Sequence, residues 1–105
     1  MEISKNDWKL FPEKLGIWQE RYMEKLNKEY VQLLTDSEKP ASERFWKLEE
    51  KIKHDKKSPG VILEVRKRDM AFDLIRLLRE GIISFDDLKD FSIELQEYIK
   101  SKVEE

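Results

Sequence analysis

Asp69 and Asp73 stand one helical turn apart in a mostly apolar stretch, with Arg66, Arg68 and Arg76 nearby. Two carboxylates at that spacing can divide acid and base work if a cleft shifts one of their pKa values. The flanking arginines point instead to a structural polar network of Asp69, Asp73 and Arg76. Glu50 and His54 form a second pair, four residues apart and so on one helical face. A zinc site needs three or four ligands, and the chain offers one histidine and no cysteine. The expected role of His54 is that of a helix-end cation. Asp86, Asp87 and Asp90 lack the alternating ligands and central glycine of a calcium loop, and read as residues of a helix start. No nucleophile elbow or triad order is present. No catalytic residue, metal or other cofactor is assigned.

The cations are more suggestive. Residues 41–79 carry 11 basic and 7 acidic side chains, whereas residues 80–105 carry 3 and 8. The candidate partner-binding surface is Lys51, Lys53, His54, Lys56 and Lys57, continued by Arg66, Lys67 and Arg68. Clustered cations release counterions from a nucleic-acid backbone. Glu49, Glu50, Asp55 and Glu64 interrupt them, however, and the chain's net charge is -2. A protein partner, or a second copy of the chain, is therefore placed ahead of nucleic acid.

Composition sets the frame for these groups. The 42% of charged residues is nearly balanced in sign, and three Trp, three Tyr and five Phe can fill a core, so a folded domain is expected rather than disorder. Without cysteine there is no disulfide framework. The N-terminal residues lack the apolar run of a signal peptide, and no stretch has the length of a membrane helix. A cytoplasmic protein with no membrane partner is the expectation. Only three Gly and three Pro occur, which suits a few helices better than many turns.

The expected architecture is all-α: one small single-domain bundle of about four to five helices over residues 1–105. Residues 1–11 form a lead-in packing on the core. Pro12 opens a first helix that runs to Leu34, carrying Leu15, Trp18, Tyr22, Leu26, Tyr30 and Leu33 at steps of three and four. Pro40 breaks the chain, and a second helix with the stripe Ala41, Phe45, Leu48 and Ile52 runs to about His54. Ser58 and Pro59 start a third helix that reaches Gly81, although Val61–Val65 also has strand composition. Leu77, Leu78, Gly81, Ile82 and Ile83 read as a glycine-stopped helix with an apolar tuck. Ser84 opens a short helix to about Asp90, and Ser92 caps the last. The first and third helices form the expected core pair, with Trp18, Tyr22, Leu26, Phe45, Leu48, Phe72, Ile75 and Leu78 central.

From these features the leading expectation is a small non-catalytic protein–protein interaction or regulatory module. The alternatives are a nucleic-acid-binding accessory protein using residues 51–68, and a carboxylate-based metal protein or enzyme.

Overall fold

A computed structural model describes residues 1–105. The fold is all-α, with α1 (Lys5–Leu34), α2 (Ala41–Asp55), α3 (Met70–Arg79) and α4 (Ile93–Val103), and single 3-10 turns at Lys67–Asp69 and Phe85–Leu88. The chain divides into two compact units. One is Met1–Trp18 with Glu64–Glu105, and the other is Gln19–Leu63. α1 supplies its first part to the former and the remainder to the latter.

In the first unit, α1 starts seven residues before the expected Pro12, which lies inside the helix. Ser4 is the reason. Its Oγ accepts the Asp7 N–H at 3.1 Å and its carbonyl accepts the Trp8 N–H at 3.0 Å, satisfying donors that a helix start leaves orphaned. Asp7, Phe11, Leu15 and Trp18 then fall on one buried stripe. Burying that stripe outweighs the intrahelical bond that proline removes. The lead-in thus packs on the core as helix, with Phe11 inaccessible to solvent.

The carboxylate of Asp7, itself buried, accepts two hydrogen bonds from Ser92. The Ser92 N–H donates to Oδ1 at 2.9 Å and the hydroxyl to Oδ2 at 2.6 Å. Ser92 Oγ in turn accepts the Leu95 N–H at 3.2 Å, capping α4. Lys14 meets Asp90 at 2.7 Å, and the Trp18 and Phe91 rings lie 6.2 Å apart, so the same two segments meet along several residues.

α3 begins at Met70, not at Pro59. Residues 56–61 form turns, and residues 62–66 run without helix or strand. Gly60 and β-branched Val61, Ile62 and Val65 are weak helix formers, and no strand exists to pair with them. The short helix turns Met70, Asp73, Leu74 and Leu77 inward and leaves Phe72 67% exposed, although Phe72 was expected at the core. Ile75 and Leu78 are half-buried. Its closest backbone packing is on α4 rather than on α1. The helix ends as its sequence predicts. Gly81 adopts φ 73°, its N–H reaches the Leu78 carbonyl, and the Ile82 N–H reaches that of Leu77. These two bonds make a Schellman stop, closed by buried Leu77 and Ile82. Ser84 and Asp87 form the expected reciprocal capping box, here on a 3-10 turn.

The second unit is a helical hairpin. α2 follows Pro40, whose carbonyl accepts the Arg44 N–H at 3.1 Å, and no side chain caps it. α1 has no basic residue in its last turn. Arg44 supplies one from α2, donating to the Leu34 carbonyl at 2.5 Å and to the Lys39 carbonyl at 3.1 Å. Past α2, Gln19 Nε2 donates to the Pro59 carbonyl at 3.0 Å. Gly60 lies against the Tyr22 ring, where a Cβ would fall 2.8 Å from Cε2.

Two expectations test this scheme. Asp7→Ala should cost about 2 kcal/mol in denaturant unfolding, since it strips two hydrogen bonds from a buried carboxylate. A double-mutant cycle with Ser92→Ala should show strong coupling, and additivity would contradict the clamp. Gly81→Ala should cost about 1 kcal/mol from backbone strain alone, because nothing lies within 4 Å of the added Cβ. A neutral effect would refute the left-handed stop.

Candidate functional site

Four side chains of α2 are not exposed, and three of them are charged. Arg44, Leu48, Lys51 and Asp55 recur at steps of four, three and four, and this is the stripe turned toward α1. Arg44 reaches the end of α1 as described. Lys51 Nζ lies 3.8 Å from Glu29, 3.9 Å from Asp55 and 5.9 Å from the centre of the Tyr30 ring. Asp55, 8% exposed, accepts the Tyr30 hydroxyl at 2.5 Å. Burial, reinforced by that hydrogen bond, pushes the Tyr30 phenol far above its ordinary pKa, so it stays a neutral donor.

Because charged residues occupy the inner stripe, the apolar stripe expected to be core is left largely outside. Phe45 and Trp46 are each 61% exposed and Ile52 38%. The Phe45 and Trp46 rings meet edge to face, 5.0 Å between centres, a geometry that fixes both rings beyond simple contact. Beside Ile52, toward the end of α2, an open groove of about 280 Å³ is lined by Met23, Leu26, Tyr30, Ile52 and Val61, with Asn27, Asp55 and Lys56 at its polar positions. Sequence periodicity placed Phe45 in the core because it shares Leu48 with the true inner stripe. The signal that could have revealed the rotation is the alternative run Arg44, Lys51, Asp55, whose charges have partners on α1.

The eight candidate cations are distributed over both units. Lys51 is committed to Glu29 and Asp55 within the hairpin. Lys53, His54, Lys56 and Lys57 are exposed at the end of α2. In the other unit Arg66 pairs with Glu64 at 2.8 Å, Arg68 lies 3.8 Å from Asp69, and Lys67 is exposed. Hydrogen bonding and the charge of Glu64 raise the Arg66 pKa. Glu50 and His54 are exposed on α2, and no three His, Asp or Glu side chains are grouped to hold a metal ion.

Asp69 precedes α3, Asp73 lies in its first turn and Arg76 in its last. Arg76 Nε donates to Glu80 at 2.7 Å. Asp73 is buried, and its Oδ2 has no hydrogen-bond partner. Burial, with the Asp69 charge, lifts its pKa to about 6 against the opposing pull of Arg76. A carboxyl that holds its proton more tightly when folded stabilises the fold fully below the unfolded pKa of 3.8, and that contribution fades as pH rises through about 6.

Asp73→Asn, which cannot ionise, should therefore match the parent chain near pH 4 and exceed it by about 1 kcal/mol near pH 8 in urea unfolding. The same difference at both pH values would contradict a buried titrating carboxyl. Comparison with protein-family models, curated proteins and solved structures finds no match to the chain.

Proposed function

We propose that the chain is a protein–protein interaction module whose contact face is the outer side of α2. One observation carries this reading: Phe45 and Trp46, two large aromatic residues in mutual contact, stand 61% exposed on a helix whose inner side is charged. Exposed aromatic clusters mark interaction sites, and aromatic anchors dominate the energetics of most interfaces. The helix is held in place by Arg44, Lys51 and Asp55, so the rings are presented on a preset backbone at low entropic cost. Lys53, Lys56 and Lys57 extend the face with positive charge, which steers partners more than it binds them. No helix is long and apolar enough to cross a membrane, so the exposed rings have no spanning role.

The test uses a photoreactive phenylalanine analogue in place of Trp46, activated in the producing cells, with Gln32 on the exposed side of α1 as the control position. A discrete adduct from position 46, lost on adding Phe45→Ser and not formed from position 32, is the expected result. No adduct from position 46, or equal labelling from both, would overturn the proposal.

A further inference from the structure

We infer that α2 is a self-association face on which two copies pair antiparallel about a two-fold axis, the Phe45 ring of each entering the α1–α2 groove of the other. The inference rests on the reading of α2 as an interaction face and names its partner.

The plug and the socket belong to one helix. Phe45 and Ile52 are seven residues apart, which is nearly two turns, so they share a face about 10 Å apart along the axis. A two-fold axis at the level of Glu50 lays Phe45 of one copy beside Ile52, Asp55 and Lys56 of the other, where the groove of about 280 Å³ opens. Symmetry makes both insertions at once, as an isologous contact requires. The groove walls are Met23, Leu26, Tyr30, Ile52 and Val61, apolar or aromatic partners for a phenyl ring.

Charge selects the same arrangement. Exposed Glu49 follows Phe45 by four residues and exposed Lys53 follows Glu49 by four, so one acid and one cation flank the ring on its side of α2. Asp55, beyond Ile52, is turned inward to Tyr30. Antiparallel pairing about the level of Glu50 brings Glu49 of each copy within about one turn of Lys53 of the other and opposes the helix dipoles. Parallel pairing would set Glu49 against Glu49 and Lys53 against Lys53. A polyanion would meet Glu49 and Glu50 on the same helix, so nucleic acid fits this face less well than the chain fits itself. An interface of one 15-residue helix and a groove lies at the small end of specific contacts, and micromolar association follows.

Sedimentation of the full chain from about 5 to about 500 µM tests this. The expected behaviour is a monomer of 12.8 kDa passing reversibly to twice that mass. Phe45→Ala should raise the dissociation constant about tenfold or more with the monomer's thermal unfolding unchanged, since the ring is exposed. Glu49→Lys should weaken the dimer, and Lys53→Glu on the same chain should restore it. A monomer throughout, or a dimer indifferent to Phe45→Ala and to the charge swap, would overturn the inference. If the chain is monomeric while position 46 still forms its Phe45-dependent adduct, self-association fails and the interaction module stands. Absence of both dimer and adduct refutes the two together.

Discussion

The buried carboxylate of Asp7 accepts both hydrogen bonds that Ser92 can donate, and the first unit is arranged about that contact. An ionisable group inside a small core is costly unless its lone pairs are matched. Here the match comes from the residue that also caps α4. One contact therefore sets where α1 begins and where α4 begins, although 85 residues separate them. Once both starts are fixed, Phe11, Leu15 and Trp18 meet the Phe91 segment, and α3 lies against α4. The presence of Pro12 within α1 follows from the same constraint. A helix that must carry Asp7 to Ser92 has to begin before the proline and continue through it.

The second unit solves the opposite problem. Its hairpin has few buried apolar side chains, Leu26 among them, and relies on directed polar contacts: Arg44 on the α1 carboxyl end, Tyr30 on Asp55, and Lys51 between two carboxylates. Such contacts specify orientation more than they stabilise. They turn α2 so that its charged stripe faces inward. Phe45 and Trp46 are then left largely exposed, and this is the physical root of the functional reading.

Much of the helical punctuation was legible from residue types alone. Gly81, Ser84 with Asp87, and Ser92 each do what their local chemistry implies, because capping and left-handed stops depend on a few adjacent residues. The break at Pro40 was legible for the same reason, and the expected four to five helices resolve into four α-helices and two 3-10 turns. The start of α1 was misread because Ser4 and Pro12 are competing start signals, and the choice between them lies with a serine at position 92. The expected third helix runs too far through Val61–Val65 because this apolar run carries helix and strand signals alike, whereas an extended connector has no periodic signal of its own. For the candidate site, the cations were visible as a cluster along the chain. Phe45 was visible only as core, since the stripes 41-45-48-52 and 44-48-51-55 share Leu48.

The sequence by itself determined the helical class, the stops and caps, and the uneven charge, since these follow from composition and from neighbours within a turn. Only the tertiary structure decided which side of α2 is inside, which face of α3 is buried, and that Asp7 is a clamp. Each of those outcomes turns on a partner far along the chain. A helix bearing two candidate faces cannot choose between them until Glu29, Tyr30 and the Leu34 carbonyl are brought opposite it.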